Sequence, residues 1–358
     1  MTTFSLTMHP ASDGDALVLS WGDVEAPRHA LIDLGRKADY RALRDWLVAI
    51  GRLDLMVITH IDADHIEGAM PLVAEPTAPF APDDIWFNGH DHLKMARKRR
   101  QELEVLSVLQ GEKLSDGIVR FGWNWNRAFD GGPVSTDSPQ CAGPLDLNGL
   151  TLTLLSPDDA GLSALEREWD KALADAALRK GDPDEAPPAP KGLERLSTLD
   201  VLALTARPFK PDTAEPNGSS IAFLAEHDGR KVLLAADAHP DVLTRRLRAL
   251  GYSEQHRLKL DLFKLSHHGS KANLSPELLT LIDCTRFAIS TDGSRHNFPD
   301  PECIARILVA DPNRDKAFYF NYPQKNAALW ASDPDLRYRW SFDVVTPAKG
   351  QKGLTIDV

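Results

Sequence analysis

The chain has 358 residues, 42% of them hydrophobic and 26% charged, which is enough apolar material for a sizeable core in one large domain or two modest ones. Its formal net charge of -11 repels a polyanion at long range; this argues against broad non-specific DNA binding, but not against a nuclease whose bound metal ions add positive charge locally. Three widely separated cysteines, Cys141, Cys284 and Cys303, exclude a disulfide framework and a thiolate zinc site, and point to a reducing compartment.

Residues 1–6 lack a basic region followed by an apolar run, and nowhere do about 18 apolar residues follow one another. The reading is a cytoplasmic chain with no membrane partner. Short β-rich runs at 16–19, 30–33 and 53–58 alternate with an amphipathic helix over Tyr40–Ile50, an α/β rhythm. Asp33 and His60 close two of these strands, where open α/β sheets place their ligands. A charged helix is predicted over 91–110, with Lys98-Arg99-Arg100 on a solvated face. The aromatic segment 121–126 reads as packing, and Asp130-Gly131-Gly132-Pro133 as a turn. A strand at 150–155 and a helix at 162–179 precede a Pro-rich loop at 181–192. That loop belongs to an insertion around 83–210 within a single domain spanning 1–358. Strands at 220–225, 231–236, 260–265 and 287–290 then alternate with helices at 240–250, 276–282 and 301–309. Two βα-rich halves predict an α/β sandwich of two sheets flanked by helices.

The strongest chemical signal is His60-x-Asp62-x-Asp64-His65, four potential metal ligands within six residues between a β-branched strand and a helical run at 66–73. An irregular strand-to-helix loop projects such side chains into one small volume. A solvated acidic turn explains carboxylates but not a histidine at each end. Neutral imidazoles with carboxylates suit zinc, manganese or iron. Two carboxylates in one cluster carry enough negative charge to hold two cations close together, the arrangement by which paired-metal hydrolases generate hydroxide at neutral pH.

The segment Thr59-His60-Ile61-Asp62-Ala63-Asp64-His65-Ile66-Glu67-Gly68 resembles the signature of the metallo-β-lactamase superfamily, whose commoner form has histidine where this chain has Asp62. The aspartate variant is similar to the subgroup that includes the soluble hydrolase domain of the ComEC-type DNA-uptake proteins. The resemblance runs from about Gly14 to Ile307, and its specific parts are this loop and the paired histidines in Ser266-His267-His268-Gly269. It implies a metallo-β-lactamase αββα sandwich of two mixed sheets and two divalent metal ions, zinc or manganese. It also implies attack by metal-bound hydroxide on a phosphodiester, hence a phosphodiesterase or nuclease. Lactams, lactones and other esters are alternative substrates, and a metal-binding regulatory module, acting with a protein partner in an intracellular assembly, is an alternative role.

Residue by residue, the resemblance places His60 and Asp62 on one metal and Asp64, His65 and His267 on the other. Asp237, at the end of the apolar run 232–236, bridges them. Asp15 in Gly14-Asp15-Ala16 and Asp33 in Leu31-Ile32-Asp33-Leu34-Gly35 buttress the metal loop, or merely form turns. Where relatives often have another histidine, Pro216-Asn217-Gly218 offers Asn217, as a weak ligand, a substrate contact or a turn cap. Relatives tend to carry a late histidine immediately before a proline; here Phe298 precedes Pro299, and His296 takes over if the loop is shifted. His268 and His296 are the candidate proton donors. His90 and His92 read as surface histidines, with a place in the cleft as the other reading.

Overall fold

The structure, a computed structural model, describes residues 2–97, 108–178 and 199–358. Five strands open the first sheet: β1 Thr2–Met8, β2 Leu17–Asp23, β3 Arg28–Ile32, β4 Leu55–Val57 and β5 Ile85–Trp86. Eight form the second: β6 Leu145–Leu147, β7 Leu150–Ser156, β8 Ala222–His227, β9 Arg230–Leu234, β10 Leu262–Lys264, β11 Arg286–Ile289, β12 Lys316–Phe320 and β13 Phe342–Val345. The last strand, β14 Leu354–Asp357, returns to pair antiparallel with β1, Ser5 opposite Asp357. Both sheets are mixed: antiparallel through β14, β1, β2 and β3, then parallel through β4 and β5; antiparallel from β6 to β9, then parallel from β9 to β13.

Period-two alternation divides each strand between two environments. Phe4, Leu6 and Met8 on β1, Ala30 and Ile32 on β3, Leu55 and Val57 on β4, Leu152 and Leu154 on β7, and Val232 and Leu234 on β9 meet in one core between the sheets. Their neighbours Leu31 and Met56 face outward onto Leu43, Leu47, Leu72, Leu114 and Trp169 from helices. Leu224, Leu233, Phe263 and Phe287 face outward from the second sheet onto Leu243, Leu278, Ile304 and Trp330. The architecture is therefore helices, sheet, sheet, helices, an α/β sandwich of two mixed sheets, as the resemblance implies.

The helix at Tyr40–Ile50 spans the residues its periodicity predicts. Of the helix expected over 91–110, the described residues are helical in His90–Arg97 and from Val108 in Val108–Phe121; Lys98-Arg99-Arg100 and the Pro-rich loop at 181–192 lie outside the described residues. Within 83–210, β5 extends the first sheet while β6 and β7 edge the second. Among the described residues no helix is long and apolar enough to cross a membrane.

Candidate metal centre

Register brings the chemistry to one level. Ile32 pairs with Val57 across β3 and β4, and Leu234, Lys264 and Ala288 align across β9, β10 and β11. One residue beyond β3 stands Asp33, three beyond β4 stands His60, and three beyond β9 and β10 stand Asp237 and His267. These are the carboxyl ends of parallel strands in two facing sheets, the place where α/β folds leave a crevice. The backbone is unusual here: Asp33, Ala236, His267 and His268 all have left-handed φ, at 60°, 45°, 46° and 55°. Non-glycine residues adopt that conformation rarely, and it clusters where function constrains the chain. Gly14 answers to a different constraint, because a Cβ there would lie 1.7 Å from the Asp64 carbonyl oxygen.

All four imidazoles share one anchoring scheme. Asp33 accepts from the Thr59 backbone N–H at 2.8 Å, from the Thr59 hydroxyl at 2.7 Å and from His65 Nδ1 at 2.7 Å. With its hydroxyl proton spent on Asp33, Thr59 Oγ1 accepts from His60 Nδ1 at 3.0 Å. His268 Nδ1 donates to the Ser290 carbonyl at 2.8 Å, and His267 Nδ1 to Asn273 Oδ1 at 3.0 Å. With every Nδ1 held as donor, each neutral ring presents its lone pair on Nε2, the tautomer a metal ligand needs.

Those Nε2 atoms converge on Asp237. Its Oδ2 lies 3.8 Å from His60 Nε2 and 3.6 Å from His267 Nε2; its Oδ1 lies 3.5 Å from His65 Nε2 and 3.9 Å from His268 Nε2. Asp62 Oδ2 is 3.7 Å from His60 Nε2, and Asp64 Oδ2 is 3.4 Å from His268 Nε2 and 4.0 Å from His65 Nε2. His60, His65 and Asp237 form one compact candidate metal-binding group, and Asp64, His65 and His268 a second. The two histidines of the pair stand differently from their expected places: His267 falls beside His60, and His268 falls with Asp64 and His65. Consecutive left-handed residues cause this, splaying the adjacent rings to an interplanar angle of 79°.

Do these residues fit metal ions? His60 Nε2, His65 Nε2, His268 Nε2 and Asp237 Oδ1 are buried without any hydrogen-bond partner, and native interiors leave such groups unsatisfied only for a reason. Burial by itself would raise the Asp237 carboxyl, but His267, His65 and His268 around it hold it well below the usual carboxylate range. Burial would depress the His65 imidazole; Asp237 and Asp33 instead drive it well above its ordinary value, and His267 rises against its own burial to about 9 under Asp237 and Asp212. Such a site demands positive charge, and its oxygen and imidazole donors, without sulfur, fit divalent metal ions.

Several partners escaped sequence reading. Asp212 Oδ2 lies 3.4 Å from His267 Nδ1 and accepts from Asn217 Nδ2 at 2.6 Å and Asn273 Nδ2 at 2.9 Å. Asn217 therefore meets Asp212 and His267 through its amide nitrogen, 3.3 Å from His267 Nδ1, while its Oδ1 is buried and unpartnered. Asp15 accepts from the buried Lys264 Nζ at 2.8 Å and its other oxygen lies 3.7 Å from His268 Nδ1. A lysine inside an apolar strand was the available signal for Lys264; nothing in local pattern marks Asp212 or Asn273. His296 stays at the rim, stacked on Phe298 at 5.5 Å. His90 and His92 pack against Trp169 at 5.6 Å and Trp125 at 4.6 Å, and His92 is buried, not on the surface.

No protein-family model and no curated protein matches the chain. Among solved structures it is similar to the metallo-beta-lactamase fold protein YhfI from Bacillus subtilis, with 9% identity over 100% of both chains and a TM-score of 0.43. It is also similar to a long form RNase Z from yeast, with 9% identity and a TM-score of 0.38, over 99% of this chain and 50% of that one. At such values the architecture stands on the strand order and the three cores described above.

Proposed function

We propose that the chain is a dinuclear metal-dependent hydrolase of phosphodiesters, a phosphodiesterase or nuclease working in the cytoplasm. The observation that carries the reading is the set of four imidazoles, each with Nδ1 anchored and Nε2 turned to Asp237. His60, Asp62 and His267 would hold one cation and Asp64, His65 and His268 the other, with Asp237 available to both. Two divalent cations, when bound, lower the pKa of water from ~15.7 toward ~7 and stabilise charge on the attacked or leaving oxygen.

The chain's own residues supply the rest. Asp33 and Thr59 fix His60 and His65 in one tautomer, and the Ser290 carbonyl does so for His268. His296, exposed at the rim, is the group free to deliver a proton to a leaving alkoxide. The phosphodiester class is supported by the aspartate form of the Thr59–Gly68 motif. One observation favours a second reading, a metal-loaded module with little turnover that acts with a protein partner: the Phe298 ring lies 5.2 Å from the His267 ring and 6.3 Å from the His268 ring, where a polar residue would serve catalysis.

The test is hydrolysis of bis(p-nitrophenyl) phosphate and single-stranded DNA by protein loaded with manganese or zinc. Turnover that disappears in the Asp64→Ala, His65→Ala double variant is the expected result. Metal-loaded wild type inert toward both diesters overturns the reading in favour of the module.

A further inference from the structure

We propose that Arg295 and His296, at the tip of the loop between β11 and the helix Pro301–Ala310, recognise the anionic phosphate of the substrate, with the Phe298 ring as the apolar wall beside it. The inference rests on the phosphodiester reading and deepens it by assigning the charge that selects the substrate class.

The loop is fixed at its base and free at its tip. Asp292 N donates to the Ser12 carbonyl at 2.8 Å, Gln324 Nε2 to the Phe298 carbonyl at 3.0 Å, and Asn326 Nδ2 to the Pro299 carbonyl at 3.3 Å. Gln324 and Asn326 are buried, so Phe298 is held against His267 and His268. His296 stacks on that same ring at 5.5 Å, one ring away from the candidate ligands. Burial lowers the His296 pKa, and the next influence on it is the Asp64 carboxylate.

Arg295, adjacent to His296 in the chain, faces the turn that carries Asp13. Its only carboxylate neighbour among the described residues is Asp13, at 4.0 Å. Asp13 is already held in a fork by Arg36, Nε at 2.9 Å and Nη2 at 2.6 Å. Arg36 is thus committed, whereas the Arg295 contact is too long for a hydrogen bond, and 35% of its side chain is exposed. Neither Arg295 nor His296 donates a side-chain hydrogen bond among the described residues. The turn carrying Asp13 and Gly14 packs onto Asp64, as the 1.7 Å approach at Gly14 requires. Two unspent donors therefore stand at the rim, one beside the Asp13 turn and one on the Phe298 ring that packs on His267.

Charge explains what they are for. Asp13, Asp62, Asp64 and Asp237 line this end of a chain of net charge -11, so positive charge at the rim, beyond that of the metal ions the site would hold, favours an anionic diester, and Arg295 supplies it. A planar guanidinium with a free fork matches two phosphate oxygens, and a neutral lactone or ester needs no such partner.

Calorimetric titration of dimethyl phosphate and neutral trimethyl phosphate into metal-loaded protein tests the assignment. Wild type should bind the anion and not the neutral ester. Arg295→Gln should weaken dimethyl phosphate binding by about 10- to 100-fold, the size of a charged hydrogen bond, with Arg295→Lys recovering part of it and metal content unchanged. For bis(p-nitrophenyl) phosphate the loss should fall on KM more than on kcat. An Arg295→Gln variant that binds and turns over diesters like wild type overturns the subsite and leaves the phosphodiester reading standing. Wild type that cleaves p-nitrophenyl acetate while neither binding dimethyl phosphate nor cleaving the diester overturns the phosphodiester reading and the subsite with it.

Discussion

Replacing Lys264 with methionine removes the buried ammonium that Asp15 is paired with behind His268. Both side chains are out of solvent, at 0% and 2% exposure, and Nζ lies 2.8 Å from Asp15 Oδ2. At an effective dielectric constant of about 20 their attraction is about 6 kcal/mol, which the several kcal/mol needed to desolvate each ion largely offsets. The intact pair therefore contributes little net stability, but breaking it is costly. Lys264→Met leaves Asp15 buried and unpaired, with its Oδ1 already lacking a hydrogen bond, and should destabilise the protein by about 3–5 kcal/mol. Urea unfolding of metal-free protein measures this, and the Asp15→Leu, Lys264→Met double variant should recover most of the loss because two apolar groups replace two ions. A single variant within about 1 kcal/mol of wild type, or a double variant no better than the single, refutes the reasoning.

Asp212→Ala removes the carboxylate that organises Asn217, Asn273 and His267; metal affinity should fall about 10- to 100-fold in chelator competition, and the metal-free protein should lose about 1–3 kcal/mol in urea unfolding because the buried amides lose their acceptor. Gly14→Ala forces the Asp64 loop away by the 1.7 Å overlap at its carbonyl, so metal content should drop and stability should fall by about 1–3 kcal/mol; a fully loaded, equally stable variant would contradict the close approach. Burial holds His92 at about 4, below the roughly 6.5 of an unfolded chain. Protons thus favour the unfolded state between those values: stability is complete above about pH 6.5 and is lost as pH falls toward 4, by about 3 kcal/mol from this residue. An NMR titration placing the His92 imidazole near 6.5 would remove the basis for that slope.

What was legible in the sequence was what is local. His60, Asp62, Asp64 and His65 fall within six residues on one loop, and Asp237 ends an apolar strand, so their gathering needs only the strand order to follow. Asp33 could be named as a buttress of the metal loop or a turn former but not decided between them, because its three donors come from Thr59 and His65, distant in the chain. The division of His267 and His268 between two groups hangs on consecutive left-handed residues that no propensity predicts. Strand β14 was missed because its short sequence, Leu-Thr-Ile-Asp, buries only Ile356 and gains its place by pairing with the far end of the chain. Asp212 and Asn273 lie in irregular backbone, where residue type alone does not distinguish a turn former from a partner of histidine.

Metal content of the purified protein, measured by elemental analysis beside an Asp237→Ala variant, tests the shared carboxylate directly. With each oxygen of Asp237 serving one group of imidazoles, wild type should hold close to two divalent ions per chain and the variant far fewer. A wild type that binds no ion after dialysis against zinc and manganese, or a variant that keeps its full complement, would contradict the account.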